Sequence, residues 1–228
     1  MRIRALVYNV RGFRDDLRSL VAVVRHAEPD LVLLNESGSR WKLRRFARAV
    51  GMEVAADPLS PFRRRVKDAV LIRPPWRIVS SRLHRFDRSE RFYPRGALIA
   101  RVGFLGVRLS AVAVHLGLHP GERVRHAKEL TDLIPSLSEL VVIGGDLNDT
   151  PDGRSAGWMG ERLWDAWLLG GDVAGETFPA ADPTARIDYL FVSEGTRVER
   201  VMVLRGEDAS RASDHLPVVA ELTIEEVG

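Results

Sequence analysis

The chain has 228 residues and a net charge of +3, and 45% of its residues are hydrophobic, so it can bury a core and does not have a disordered composition. It has no cysteine, which excludes disulfides, thiolate nucleophiles and cysteine-ligated metals. No apolar run approaches the ~18 residues of a membrane span, and the first ten residues resemble a strand rather than a secretory signal, so we expect a cytoplasmic protein.

The first half of the chain alternates between predicted strands and helices. Residues 2–10 and 31–34 are predicted strands, since their apolar residues alternate or run continuously. Residues 17–26 and 41–50 are predicted helices, because their apolar residues recur every three or four positions. Further strands are predicted for residues 53–56, 68–73, 76–86, 96–102 and 107–115.

The second half continues with a predicted helix over residues 122–137 and a buried strand over 140–143, closed by Gly144 and Gly145. Residues 151–185 are rich in Gly, Pro and Trp and predict loops with short helices. The last predicted strands are residues 187–192, 198–204 and 216–224. This mixture indicates an α/β fold with two packed sheets and helices outside, and no composition change divides residues 1–228 into two domains.

The modest net charge conceals an uneven distribution. Residues 1–114 carry a charge of +14 and residues 115–228 carry −11. Arginine accounts for 31 of the 34 basic residues, and its planar fork matches phosphate better than lysine does. The pattern is compatible with a polyanionic ligand and equally with an arginine-biased, solvated surface.

Polar residues cluster at the ends of the predicted apolar strands, after most of them and at or before the start of two, where α/β folds build their sites. These strand-end positions are Asn9, Asn35, Glu36, His115, Asp146, Asn148, Asp188, Asp214 and His215. Their types suit metal binding and proton transfer, although turn formation or helix capping also explains single members. Four other histidines, His26, His84, His119 and His126, match no motif and are expected on the surface.

Six segments together resemble the endonuclease/exonuclease/phosphatase superfamily, which has the deoxyribonuclease I-like fold. They are YNVRG (8–12), PDLVLLNE (29–36), AVHL (113–116), GGDLND (144–149), RIDYLFVS (186–193) and SDHLPVVAEL (213–222). The resemblance implies a four-layer α/β sandwich with two packed mixed β-sheets flanked by helices. It also implies divalent-metal-dependent phosphoester hydrolysis, with Mg²⁺ as the expected ion and Mn²⁺ or Ca²⁺ as alternatives.

The resemblance assigns metal binding to Glu36, with Asp214 as a second carboxylate and Asn9 supporting the metal or its water. It assigns orientation of the attacking water to Asp146 and contact with a phosphate oxygen to Asn148.

By the same resemblance, His215 contacts the scissile phosphate and Asp188 fixes its ring. An aspartate beside a histidine orients the imidazole and favours its cation. His115 is a general acid or a phosphate ligand, and it argues against a dedicated abasic-site endonuclease, which commonly carries tyrosine there. Asp68 is the candidate partner of His115, against the simpler interpretation as a strand-edge charge.

The fold serves many phosphorylated substrates, so the basic residues are the available evidence on the substrate. Arg40 and Arg44 follow Glu36, and Arg64 lies in the basic run 63–67 before Asp68. With Arg95, these residues are candidate substrate-binding groups that suit a nucleic acid backbone.

We therefore expect a monomeric nuclease that cleaves DNA or RNA by water attack. The alternative is a phosphatase or phosphodiesterase for inositol phosphates, nucleotides or phospholipid head groups, and a non-catalytic binding module is the third hypothesis.

Overall fold

The computed structural model describes residues 1–58, 64–87, 93–137, 140–171 and 175–224. Its strands are β1 (Arg2–Asn9), β2 (Leu31–Asn35), β3 (Glu53–Ala56), β4 (Ala69–Ile72), β5 (Arg77–Arg85), β6 (Gly96–Phe104), β7 (Val107–His115), β8 (Leu140–Asp146), β9 (Trp164–Asp165), β10 (Asp188–Val192), β11 (Thr196–Val203) and β12 (Val218–Ile224). Its α-helices are α1 (Leu17–Ala27), α2 (Arg40–Ala49), α3 (Pro120–Leu133), α4 (Arg154–Gly160), α5 (Ala166–Gly170) and α6 (Glu207–Ala212). Each predicted element has a counterpart within a few residues.

The described strands form two six-stranded mixed sheets, as predicted. The first has the order β11-β12-β1-β2-β4-β3 and the second β5-β6-β7-β8-β10-β9. Each sheet has one parallel pair near its centre, β1 with β2 and β7 with β8, and its other pairings are antiparallel. The carboxyl ends of these four strands lie at the same end of the sandwich, since Asn9 and Asn35 at the ends of β1 and β2 hydrogen-bond to Asp146 at the end of β8.

The side-chain alternation of β1 shows how the layers assemble. Ala5 and Val7 point into the core between the two sheets, whereas Leu6 and Tyr8 pack beneath helices on the outer face. Helices α1, α2 and α6 cover that face, and α3 and α4 cover the outer face of the second sheet. The order helices, sheet, sheet, helices is the four-layer sandwich that the resemblance implied.

Strand β8 differs from its prediction, because it continues through Gly144 and Gly145 to Asp146 instead of stopping at residue 143. A Cβ on Gly144 would lie 2.5 Å from the Val7 side chain of the facing sheet. A Cβ on Gly145, whose φ is +155°, would lie 1.7 Å from the carbonyl oxygen of Val114. The glycines therefore permit close packing within the sandwich and carry the strand up to Asp146.

We expect Gly145→Ala to lower the free energy of unfolding by about 3 kcal/mol or more, because the new methyl group collides with backbone rather than with a movable side chain. The melting temperature should fall by about 6–12 °C. Gly157→Ala is the matched control, since Gly157 lies in α4 and a Cβ added there would have no neighbouring atom within 4 Å. It should be neutral or stabilising. Equal melting temperatures for the two variants would contradict this account.

The expectation of a surface position is wrong for His126. Its side chain is fully buried on α3 and stacks on Phe86 with ring centroids 4.5 Å apart. His126 lies on the inward face of α3 with Ala127 and Leu130. The apolar periodicity of the sequence does not reveal this position, because histidine is polar. Among the described residues, no helix has the length and apolar character required to cross a membrane.

Candidate active site

Strand register brings three predicted residues side by side at the end of the second sheet. His115 is paired with Asp146 across the parallel β7–β8 ladder, and Asp188 is paired with the same Asp146 across β10–β8. In the first sheet, Asn9 is paired with Asn35 across β1–β2. Since the two sheets pack face to face, both sets of side chains meet at one end of the sandwich.

Asp146 is the buried centre of this cluster. Its Oδ2 accepts a hydrogen bond from Asn9 Nδ2 at 3.0 Å, and its Oδ1 accepts one from the backbone N–H of Asn148 at 2.9 Å. The Nε2 atoms of His115 and His215 lie 3.3 and 3.7 Å from Oδ2. Burial alone raises the pKa of Asp146, but the two histidines and the backbone N–H outweigh burial and hold the pKa below its usual range. The carboxylate therefore stays ionised.

Asn35 joins the two sheets beside Asp146, a role that its place at a strand end does not reveal. Its Nδ2 donates to Asp68 Oδ1 at 2.9 Å and to the Val114 carbonyl at 2.8 Å, while its Oδ1 accepts from the Asp146 backbone N–H at 2.9 Å. The side chain is fully buried and uses its donors and its acceptor together. Asn35 is thus a positioning residue for Asp146.

His215 lies in contact with Asp188. Its Nδ1 lies 2.8 Å from Asp188 Oδ2, and the same oxygen accepts a hydrogen bond from the buried Thr177 hydroxyl at 2.6 Å. Burial lowers the pKa of His215, but the carboxylates of Asp188, Asp146 and Asp214 outweigh it and raise the pKa to about 10. His215 is therefore an imidazolium at neutral pH. Its Nδ1–H points to Asp188, and its Nε2 lies near Asp146 Oδ2 at the cavity.

A raised pKa has a definite pH signature. Because the folded pKa of about 10 exceeds the unfolded value near 6.5, protonated His215 stabilises the fold fully below pH ~6.5 and loses that effect as pH rises through about 10. In ¹⁵N NMR we expect both ring nitrogens of wild-type His215 to stay protonated at pH 8. In Asp188→Asn the pKa of His215 should be at least one pH unit lower than in the wild type.

His126 gives an internal reference in the same spectra, since burial lowers its pKa to about 4. It should be neutral at pH 8 in both proteins. If His215 titrated near pH 6.5 in the wild type, the proposed Asp188–His215 ion pair would be wrong.

His115 contacts Arg95, which precedes the paired residue Gly96 on β6. Arg95 Nη1 lies 2.6 Å from His115 Nδ1. A guanidinium can only donate, so Nδ1 accepts and the His115 ring proton is assigned to Nε2, facing Asp146. Arg95 thus fixes the tautomer of His115 and also lines the cavity.

Asp68 is buried beside this pair but makes no hydrogen bond to His115. Its Oδ1 is bound by Asn35, and its Oδ2 has no partner among the described residues. Burial raises the pKa of Asp68 to about 6, against the opposing effects of His115, Asn35 and Arg95. Asp68 therefore acts on His115 through its charge, and its role as a direct partner stays a prediction.

The three predicted metal-binding residues differ in their surroundings. Glu36 is half-buried, lines the cavity and makes no hydrogen bond or ion pair with a described side chain. Asn9 also lines the cavity, and its Oδ1 accepts from the backbone N–H of Arg11 at 3.1 Å. Asp214 is paired instead with Arg11 Nε at 3.1 Å. Glu36 is the carboxylate of this set that is available to a cation.

A second group of possible ligands lies deeper. One atom each of Asp146, Asp188 and His215 lie within 4.8 Å of one another. The Nδ1 atom of His215 is engaged by Asp188 Oδ2 at 2.8 Å, so a cation bound by this group would have to compete with that contact.

Backbone strain is concentrated in the loops that build the site. Glu36 and Asn148 both have left-handed backbone angles, with φ of +51° and +53°, as do Arg11 and Phe13 on the loop after β1. Non-glycine residues rarely adopt this conformation, and it persists where the surrounding structure imposes it. At Asn148 it allows the backbone N–H to reach Asp146 while Nδ2 donates to the Leu116 carbonyl at 3.1 Å.

A cavity of about 370 Å³ opens above these residues. Its lining includes Asn9, Glu36, Asp68, Arg95, His115, Asp146, Asn148 and His215, so most predicted site residues converge. Asp188 does not line the cavity but contacts the His215 ring at Nδ1. The basic residues Arg14, Arg65 and Lys67 also line the cavity. The sequence pattern pointed to the basic run 63–67 but singled out Arg64 from it, and it did not point to Arg14.

Three predicted substrate-binding arginines lie elsewhere among the described residues. Arg40 donates to the Asp57 carbonyl, and Arg44 is exposed on α2 in a groove against β3. Arg64 is exposed, and its carbonyl accepts from Arg85 at 3.0 Å. Arg63 of the same basic run lies outside the described residues. None of the three described arginines lines the cavity, and their role in binding substrate stays a prediction.

Sequence comparison connects this geometry to known proteins. A family model described as "Endonuclease/Exonuclease/phosphatase family" matches residues 6–215. Among curated proteins, none matches the chain.

Several solved structures share the fold over almost the whole chain. An endonuclease/exonuclease/phosphatase family protein from Bacteroides thetaiotaomicron has a TM-score of 0.86 at 18% identity, covering 99% of each chain. D. rerio TDP2 complexed with single-strand DNA product has a TM-score of 0.81 at 20% identity, covering 97% of this chain and 99% of that one. A Bacteroides thetaiotaomicron mannosyl-6-phosphatase has a TM-score of 0.80 at 18% identity, with the same coverage. Likeness at these identities establishes the fold alone.

Proposed function

Since the chain belongs to the endonuclease/exonuclease/phosphatase family, we propose that it is a divalent-metal-dependent nuclease that cleaves phosphodiester bonds of DNA or RNA by water attack. The observation that carries the proposal is the pairing of an ionised Asp146 with a protonated His215 at the floor of one cavity. The Asp146 carboxylate can accept a hydrogen bond from a water molecule, and the His215 imidazolium can donate one to a phosphate oxygen.

In this proposal the carboxylate of Asp146 accepts a hydrogen bond from the attacking water and directs its lone pair at phosphorus. His215 donates its Nε2–H to a phosphoryl oxygen and balances the negative charge that grows there. Asp188 and Thr177 hold the imidazolium ring in place. The P–O bond opposite the water breaks, the proton that the water loses passes to Asp146, and the leaving oxygen takes the Nε2 proton of His115. Asp146 then returns the water's proton to His115 Nε2, which lies 3.3 Å from its Oδ2, so both side chains end as they began.

The oxygen atoms beside the cavity fit a hard divalent cation. The Glu36 carboxylate has no described partner, and Asp68 Oδ2 is buried and unpartnered among the described residues, an arrangement that a cation would stabilise. We propose that Glu36 holds the ion, with Asn9 and Asp68 beside it, and Asp214 as a more distant contributor. When bound, the ion would supply positive charge that polarises the phosphoryl group and stabilises the leaving oxygen.

Two features favour a polynucleotide over a small phosphomonoester. Arg14, Arg65, Lys67 and Arg95 surround the cavity, giving more positive charge than one phosphate needs. Tyr93 lines the cavity and is 62% exposed, so a base can stack on its ring. The TDP2 structure with bound DNA product is consistent with this choice, and the mannosyl-6-phosphatase represents the alternative.

A substrate panel separates these functions. We expect Mg²⁺- or Mn²⁺-dependent cleavage of plasmid or single-stranded oligonucleotides that stops in EDTA. The rate should fall steeply between about 50 and 200 mM salt, because several phosphate contacts release counterions on binding. Turnover of a sugar phosphate, inositol phosphate or sphingomyelin, with little salt dependence and no polynucleotide cleavage, would favour the alternative.

We also propose that the protein acts in the cytoplasm as a monomer, because it has no cysteine and one chain supplies every residue of the proposed site. Light scattering at micromolar concentration should then give the mass of one chain. A dimer under these conditions would contradict the monomer.

A further inference from the structure

Arg65 has an unusual position on the cavity wall. Its Nη1 donates to the Gly38 carbonyl at 3.1 Å, on the loop that follows Glu36. Its Nε and Nη2 are buried and have no hydrogen-bond partner among the described residues. Buried guanidinium donors without partners are costly, so most proteins pair them with carboxylates or bound anions.

The neighbouring acid does not satisfy Arg65. Asp57 Oδ2 is taken by Arg85 Nη2 at 2.8 Å and by the Val66 backbone N–H at 2.8 Å. These contacts anchor the segment on which Arg65 lies, so its donors are held in place rather than left on a loose loop. Burial, and the nearby Arg40 charge, lower the pKa of Arg65, which again indicates a cation lacking a full counter-charge.

Two further cations line the same cavity. Arg14 and Lys67 are exposed there and form no ion pair with a described residue. The residues proposed for chemistry, Asp146 and His215, lie instead at the strand ends of the cavity floor. At about 370 Å³, the cavity is also larger than one phosphate group requires.

We propose that Arg65, together with Arg14 and Lys67, forms a second anion subsite that binds a phosphate adjacent to the scissile one. The unpartnered Nε and Nη2 of Arg65 form the side of the guanidinium fork that takes two phosphate oxygens at once, and a rotation of the side chain would bring these buried atoms to the cavity that Arg65 lines. This inference rests on the proposed nuclease function and specifies it: the preferred substrate carries at least two neighbouring phosphates. Arg65 is then a substrate-binding residue.

Matched dinucleotides test the subsite without turnover. Thymidylyl-thymidine has one internal phosphate, and its 5′- and 3′-phosphorylated forms each add one neighbour. In EDTA, calorimetry should show that the wild type binds one phosphorylated form at least tenfold more tightly than the parent. Arg65→Met should reduce this advantage below about threefold while changing the affinity for the parent less than twofold. Arg65→Lys should retain part of it.

Arg108→Met is the control, because Arg108 lies at the opposite end of β7 from His115 and is exposed. It should keep the full wild-type advantage. Arg65→Met should melt close to the wild type, since it loses one hydrogen bond to Gly38 but also removes two buried donors that lack described partners. Equal loss in both variants, unchanged preference in Arg65→Met, or no preference in the wild type would overturn the proposal.

The same dinucleotides separate this inference from the proposed function. With Mg²⁺ added, a binding preference without any hydrolysis would contradict the nuclease and leave the anion subsite standing. Hydrolysis of all three compounds with equal affinity and equal kcat/KM would support phosphodiesterase activity and overturn the subsite.

Discussion

Asp146→Asn is expected to lower kcat for phosphodiester hydrolysis by about 10³- to 10⁴-fold. The substitution keeps the size of the side chain but removes the negative charge that accepts the water hydrogen bond and faces two histidines. It also places an amide next to Asn9 Nδ2, which in the wild type donates a hydrogen bond to Asp146 Oδ2 at 3.0 Å. Whichever way the new amide points, one of the present contacts at Asp146 loses its acceptor.

Asp152→Asn is the matched control, because Asp152 is exposed on the loop that follows and its described side-chain contact is Thr150 at 2.6 Å. Its kcat should stay within about twofold of the wild type. Steady-state kinetics on a fluorescent oligonucleotide, with folding checked by circular dichroism, provide the comparison. Activity of Asp146→Asn within tenfold of the wild type would remove Asp146 from the proposed chemistry.

His215→Ala is expected to lower kcat by about a thousandfold, since it removes the proposed donor to the phosphoryl oxygen. It also leaves the buried Asp188 carboxylate without its main partner, so the free energy of unfolding at pH 7 should fall by about 3–5 kcal/mol. The stability loss should shrink as pH rises towards 10, where the wild-type imidazolium itself loses its proton.

His126→Ala separates the catalytic effect from the structural one. It also deletes a fully buried imidazole and leaves a cavity, at a cost of about 2–4 kcal/mol. Its kcat should nevertheless remain within about threefold of the wild type, because His126 stacks on Phe86 and does not line the cavity. If both variants lost activity equally, loss of stability rather than loss of a phosphate contact would explain His215→Ala.

Much of the fold could be predicted because its strands have simple patterns. The alternation of Ala5 and Val7 with Leu6 and Tyr8 reflects two packed faces, and the continuous apolar run of β2 reflects burial on both sides. The end of β8 could not be predicted, since Gly144 and Gly145 usually signal a turn. Here Gly144 packs against the facing sheet and Gly145 against the backbone of the neighbouring strand β7, tertiary contacts that local sequence does not encode.

The part of the site that lies at strand ends could be predicted from the sequence. His115, Asp146 and Asp188 end or begin neighbouring strands, so register alone brings them together. The roles of Asn35 and Thr177 could not be predicted, because they depend on partners in other elements. Thr177 lies in a loop-rich region with weak periodicity, which gives no sequence signal.

The arginines show the limit most clearly. Arg64 and Arg65 are neighbours with the same chemistry, but Arg64 is exposed while Arg65 lines the cavity with buried donors. The two neighbouring side chains differ in direction because the Asp57–Arg85 ion pair holds this segment in place and the Gly38 carbonyl accepts a hydrogen bond from Arg65. Charge distribution therefore predicted a basic surface near the site, whereas the particular residues depend on the tertiary structure.

The most direct test of the proposed function is the rate of oligonucleotide hydrolysis by the wild type and by His215→Ala, each measured with Mg²⁺, with Mn²⁺ and with EDTA. The wild type should cleave with either ion and stop in EDTA, and His215→Ala should be slower by about a thousandfold with either ion. Cleavage that persists in EDTA, or equal rates for the two proteins, would contradict a metal-dependent phosphodiesterase centred on Asp146 and His215.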